Sequence, residues 1–214
     1  MNSQSSRTPA GRQRGFLSSR QAFVLLGLLF MAPTFVAWVM HHSSEQGWRP
    51  EGMTNRGTLV HPARPLQPPQ DLQVNDQPLS AYLNGFWTMV YVGDDDCDAV
   101  CNGDLYKMRQ VRVAQNENMK RVQLLYLMQG EVVPQELSRL LATEYTEMTL
   151  VPMRADQAEM LLPQFAIDET PVLDAGRVYY VDPLGNLMMY YTPDADPRDM
   201  LKDLQKLLKY SKIG

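Results

Sequence analysis

The sequence predicts an α/β fold: one mixed sheet covered by helices, preceded by a single N-terminal transmembrane helix. Three observations carry this. Residues 22–40, AFVLLGLLFMAPTFVAWVM, hold no charge. Beyond residue 70, apolar runs of strand length alternate with stretches of helical period. The last two strand-like runs flank Asp182-Pro-Leu-Gly-Asn186, where Pro second and Gly fourth suit a type I turn and make them a hairpin.

The N-terminal element comes first. As a helix, 19 uncharged residues reach about 28 Å, enough to cross a bilayer. Pro33 within it is tolerated in membranes. Residues 1–20 form a basic tail with Arg7, Arg12, Arg14 and Arg20 and no acid. The positive-inside rule therefore keeps the N-terminus cytoplasmic and exports the rest. The residues after the span, Trp38-Val-Met-His-His-Ser-Ser, give no small-x-small cleavage site, which favours an anchor at 21–41 over a cleaved signal.

Residues 42–70 read as a linker. They contain Pro50, Pro62, Pro65, Pro68 and Pro69 with Gly47, Gly52 and Gly57, and no apolar period. The remaining residues, 71–214, suffice for one compact domain. All 24 acids lie after residue 40, against 16 of the 20 Lys and Arg, so the exported part carries about −8. That balance disfavours nucleic acid and anionic lipid as partners.

Within the domain, Asp71–Leu79 reads as a short strand and turn, and Phe86–Val92 as a buried strand. Ala99–Asn116 is helical, with Val100, Leu105, Met108, Val111 and Val113 apolar. Arg121–Met128, RVQLLYLM, is a β-like core run. Pro134–Thr143 opens on proline and reads as a helix. Met148–Met153 is a candidate strand and Ala155–Phe165 a candidate helix. Val178–Val181 and Leu187–Tyr191 form the hairpin, and Pro197–Tyr210 closes the chain as an amphipathic helix.

The only two cysteines, Cys97 and Cys101, follow the first core strand. Open sheets place their sites at such carboxyl ends. With Cys97 at a helix N-cap and Cys101 in the first turn, the sulfurs stand about one turn apart on one face. They can then close a small disulfide or hold one metal ion, and the helix N-terminus favours both by lowering thiol pKa. The alternative is a structural disulfide, although so short a loop stabilises little through chain entropy. Asp94, Asp95, Asp96 and Asp98 crowd Cys97. Neighbouring carboxylates disfavour thiolate. A poorly stabilised reduced form makes the pair a reductant rather than an oxidant.

Other chemistry finds no support. The three histidines are His41, His42 and His61, so residues 71–214 hold no Ser/His/Asp set. There is no glycine-rich phosphate loop, no HExxH and no paired CxxC. The 14 methionines, Met153, Met188 and Met189 among them, read first as core filler.

The chain resembles the Sco/SenC/PrrC family, on NDQPLSAYLNGFW over 75–87, on Cys97-x-x-x-Cys101, and on YVDPLGNL over 180–187. The resemblance covers about residues 70–210. It implies a thioredoxin-like domain on a membrane anchor, periplasmic in a bacterial-type inner membrane, that assists cytochrome c oxidase assembly. It further implies copper, Cu(I) favoured, held by the two cysteines and a distant third ligand. The partner it implies is the oxidase's copper-binding subunit or another exported thiol protein. The same cysteines could instead reduce that subunit's thiols. Two departures stand out: Asp98 and Asn102 follow the cysteines where the family has proline, and Asp174 stands where the family has its histidine. The candidate metal ligands are therefore Cys97, Cys101 and Asp174, and the candidate redox pair is Cys97 and Cys101. The alternative class is a binding protein of the same fold with a structural disulfide and no catalysis.

Overall fold

A computed structural model of the protein describes residues 18–45 and 55–211. These form two compact units that divide between Met53 and Thr54. Arg7, Arg12 and Arg14 and residues 46–54 of the expected linker lie outside the described residues.

The first unit is α1, Ser19–Glu45, with Pro33 inside it. Its stretch Arg20–Val39 is long and apolar enough to cross a membrane, with mean hydropathy 2.2. The helix runs past the expected end of the anchor at residue 41.

The second unit is built on a six-stranded sheet. In chain order its elements are β1 (Thr58–Pro65), β2 (Gln73–Val74), β3 (Gln77–Pro78), α2 (Leu79–Tyr82), β4 (Trp87–Gly93) and α3 (Ala99–Val113). There follow β5 (Val122–Gln129), α4 (Gln135–Glu144), β6 (Met148–Met153), α5 (Ala155–Leu161), β7 (Val178–Val181), β8 (Asn186–Tyr191) and α6 (Pro197–Tyr210). The strand order is β1-β8-β7-β4-β5-β6, while β2 and β3 pair separately. Strands β4, β5 and β6 are parallel, while β7 pairs antiparallel with β4, β8 antiparallel with β7 and β1 antiparallel with β8, so β8 runs in the direction of β4.

Alternation along the strands fills both faces. Trp87, Met89 and Tyr91 of β4 join Leu124, Tyr126 and Met128 of β5 on the face that packs α3, α4 and α6. Val90, Val92, Leu125 and Leu127 point the other way, toward Leu79, Leu83, Ala158, Leu161 and Phe165. Burial on both sides explains the continuous apolar character of β4 and β5.

Three expectations need correction. The expected linker 42–70 is not all tether: its residues 58–65 form β1, paired with β8. Prolines hid this strand. They are tolerated because β1 is an edge strand in the described sheet, and its pairing slips between Leu59 and Arg64, around Pro62. The stretch 155–165 is not one helix; α5 ends at Leu161 and Pro163 sits in a following 3-10 turn. Helix α3 stops at Val113, short of Asn116, whose φ is +51°.

The entry to the sheet is fastened by a buried carboxylate. Asp203 of α6 accepts the backbone N–H groups of Arg56 at 2.7 Å and Gly57 at 2.8 Å, and the Tyr191 hydroxyl at 2.7 Å. A Cβ on Gly57 would stand 2.5 Å from the Tyr191 ring, so only glycine fits this close approach.

Candidate redox site

The site is assembled at the carboxyl end of β4. Gly93 ends the strand against two tyrosines; a Cβ there would lie 2.9 Å from the Tyr126 hydroxyl and 2.9 Å from the Tyr91 ring. The chain then turns through Asp94–Asp98. The Tyr126 hydroxyl donates to the Asp94 carbonyl at 2.8 Å, and the Asp96 N–H donates to Asp94 Oδ1 at 3.1 Å.

Cys97 and Cys101 are joined as a disulfide, with Cα atoms 5.2 Å apart. Both expected site cysteines are therefore together, but Cys97 is not the N-cap. Asp98 holds that position, and its Oδ1 accepts the Cys101 N–H at 2.9 Å. A carboxylate is the stronger acceptor for an unpaired helical N–H. The two sulfurs differ in access: Cys97 is partly exposed, and Cys101 only 3% exposed.

Hollows flank the pair. One of about 350 Å³ is lined by Gly93, Asp94, Asp96, Asp98, Cys101 and Asp174, with Tyr91 and Tyr126 behind. Asp174, which is exposed, thus borders the same hollow as Cys101. The other, of about 460 Å³, joins Cys97 to an apolar wall of Pro134, Leu137 and Leu140, with Asp95, Asp96 and Glu136 among its lining residues.

Charge and burial shape the chemistry. Burial pushes the Tyr126 phenol above its usual range, and Asp94, Asp95, Asp98 and Asp96 add to the shift. Tyr91 is raised in the same way, by burial first and then by Tyr126, Asp104 and Asp98. Asp104, one turn after Cys101, is 1% exposed. Burial raises its pKa, and Lys107, whose Nζ lies 2.9 Å from Oδ1, opposes the shift. Its Oδ2 is buried without a hydrogen-bond partner. These three residues escaped the sequence reading. Tyr91 and Tyr126 looked like members of apolar strands, and no local pattern marks Asp104 as buried.

The donor set does not make a metal centre in this state. Among the described residues, no group of three or more His, Cys, Asp or Glu is placed to hold an ion. Sulfurs joined to each other offer no thiolate. Met153 and Met189 are buried in the core, as their apolar runs imply.

Comparison with known proteins agrees with this architecture. The family model for the transmembrane-like, thioredoxin-like, C-terminal domain matches residues 87–211. No curated protein matches the chain. Among solved structures, apo Sco1 from Thermus thermophilus aligns with TM-score 0.55 and 18% identity, over 73% of this chain and 99% of that one. Yeast Sco1 with copper bound aligns with TM-score 0.54 and 15% identity, over 75% and 96%. A SCO1/SenC family lipoprotein from Bacillus anthracis gives 0.53 and 15%, over 72% and 99%. At these identities the likeness to Sco proteins is one of fold. The match over residues 87–211 takes in the candidate site and five of the six sheet strands, and by it the chain belongs to the transmembrane-like, thioredoxin-like C-terminal domain family, with the fold of the Sco/SenC proteins.

Proposed function

We infer that this Sco-like thiol protein is a membrane-anchored thiol–disulfide reductant acting outside the cytoplasm through Cys97 and Cys101. The carrying observation is the asymmetry of the pair: one sulfur at the surface, the other buried at the start of a helix. Exchange needs one sulfur that a partner can reach and a second that only the first can reach. In the dithiol state the Cys97 thiolate attacks a partner disulfide, and one partner sulfur leaves as thiolate and takes a proton. Cys101 then loses its proton and attacks Cys97 Sγ. The second partner sulfur leaves, and two electrons have passed to the partner. An exported dithiol must afterwards reduce the pair again.

The acidic surround supports the direction. Carboxylates at Asp94, Asp95, Asp96 and Asp98 disfavour thiolate, so the reduced form gains little stabilisation. The fold shared with Sco1 and the implied anchor support a target in the copper-binding subunit of cytochrome c oxidase. Arg20, together with the basic residues before it, supports a cytoplasmic N-terminus. Copper fits less well. Once reduced, the pair offers two thiolates suited to Cu(I), but Asp174 is a poor third ligand for a soft ion. Copper is therefore secondary here, as a transient cargo of the reduced pair.

The test uses the full chain in detergent. Thiol trapping in defined glutathione and dithiothreitol buffers should give a reversible disulfide with a potential near or below about −220 mV. The reduced protein should convert a disulfide-bonded two-cysteine peptide to its dithiol, and Cys97→Ser should abolish this. A pair that exchanges with no peptide would leave the binding-protein reading, with a structural disulfide.

A further inference from the structure

Building on the thiol–disulfide reading, we propose that the groove between the cysteine loop and α4 is where the partner docks. It takes a cationic, partly apolar segment: a cysteine to be reduced, flanked by a lysine or arginine and by a leucine-sized apolar side chain. Of the two hollows beside the disulfide, this one, of about 460 Å³, is the one that Cys97 lines. The cysteine that a partner can reach is therefore part of its wall. Val133 and Leu140 pack against the same core cluster as Cys97, which holds α4 beside the cysteine loop. Pro134 and Leu140, both half-buried, line the groove together with buried Leu137. Val132, 80% exposed, adds an uncovered apolar side chain on the same loop. Pro134 stands at the N-cap of α4, so the wall is held by a helix and by the core. Docking then orders little of this chain.

Charge selects the occupant. Asp95, Asp96 and Glu136 complete the lining, and all three are exposed. No Lys, Arg or His lines this groove or the hollow beside Cys101, and Asp96 borders both. None of the three carboxylates has an ion-pair partner among the described residues, whereas Asp71 and Asp156 share Arg154 and Asp168 pairs with Arg177. Carboxylates without a counter-charge attract a cationic side chain and turn away an acidic one. A bare metal ion would use the carboxylates and leave the apolar wall uncovered. An uncharged apolar segment would do the reverse. A segment that carries both features uses the whole surface. The groove acts in docking alone, and the exchange at Cys97 and Cys101 is unchanged by it.

The experiment uses the full chain, reduced, in neutral detergent micelles. Three disulfide-bonded two-cysteine peptides differ only in the residues flanking the first cysteine, which are Lys and Leu, Glu and Leu, or Lys and Ser. Their reduction rates are compared as ratios, because any change in the reactivity of Cys97 itself cancels. The Lys/Leu peptide should be reduced about tenfold faster than the Glu/Leu peptide at low salt, and the preference should shrink in about 0.5 M salt. It should also outpace the Lys/Ser peptide. Glu136→Lys, a change at an exposed position, should move the Lys-over-Glu ratio toward one. Should that variant fail to fold, Glu136→Gln makes the same test by removing the charge alone. Equal rates for the Lys/Leu peptide and either of the others, or a ratio that the Glu136 variants leave unchanged, overturns the proposal. Such a result leaves the redox reading standing, since the peptides are still reduced. If no peptide is reduced, the redox reading falls and binding decides the groove. The same peptides with serine for cysteine, titrated into the oxidised protein and followed by fluorescence anisotropy, should keep the same order of affinity; loss of that order overturns the groove as well.

Discussion

Asp98 Oδ1 accepts the backbone N–H of Cys101 at 2.9 Å, so the residue that follows the first cysteine also caps the helix that carries the second. The same carboxylate therefore does two separable things. It satisfies a helical N–H, and it places negative charge beside the sulfurs.

Two substitutions separate these effects. Asp98→Ala should lower stability by about 1 kcal/mol, the usual cost of a lost cap. Asp98→Asn keeps an acceptor and should stay close to wild type in urea denaturation. Both should lower the pH at which Cys97 in the reduced protein is alkylated, because both remove the charge. An unchanged alkylation profile in Asp98→Asn would show that the carboxylate does not tune the thiol.

Asp203 offers a test of the corrected domain boundary. Its carboxylate holds two backbone N–H groups and the Tyr191 hydroxyl, all at 2.7–2.8 Å. Asp203→Ala should cost on the order of 3 kcal/mol, since buried donors are left without partners. Limited proteolysis should then cut near residues 56–60 well before global unfolding. Deleting everything before residue 70 should be at least as damaging, because it strips β1 from β8.

Asp104 gives a pH dependence whose sign follows from burial. Its folded pKa is raised above the model-peptide value of 3.8, burial being the largest cause. The native state thus holds the proton more tightly than the unfolded chain. Its contribution favours folding below that value and declines as pH rises toward the folded pKa. Asp104→Asn should flatten this decline, so its stability relative to wild type should improve from pH 4 upward through the raised pKa. Chemical denaturation across this window measures it, and a parallel pair of curves would contradict the assignment.

Asp174 borders the same hollow as Cys101 and tests the copper reading. Reduced wild type should take up Cu(I) through sulfur and retain Cu(II) poorly. Asp174→His supplies an imidazole and should improve Cu(II) retention, with Cu(I) binding less altered. Copper titration of the two reduced proteins, followed by visible absorption, is the measurement. Tight Cu(II) binding by wild type would point to a ligand other than Asp174.

Most of the sheet was legible because its strands are buried on both faces or alternate cleanly. Phe86–Val92, Arg121–Met128 and Met148–Met153 were each placed within about one residue of β4, β5 and β6. Strand β1 was illegible, since Thr58–Pro65 carries two prolines and its order depends on β8, some 130 residues away. The cysteines announced themselves by their spacing. Their setting did not. Tyr126 reaches the Asp94 loop only through the parallel pairing of β4 with β5, a closure that no local pattern encodes. Asp174 was reached only through the family resemblance, and it borders the hollow that Cys101 lines.

The edge position of β1 has a mechanical meaning. Any pull that reaches the domain along the chain from α1 enters at Arg56 and Gly57 and loads the Asp203 clamp and the β1–β8 ladder first. Strand β4, which ends at the cysteine loop, stands three places further across the sheet. A force applied along the chain from α1 would therefore peel the sheet from its β1 edge before it strained the strand that leads into the cysteine loop.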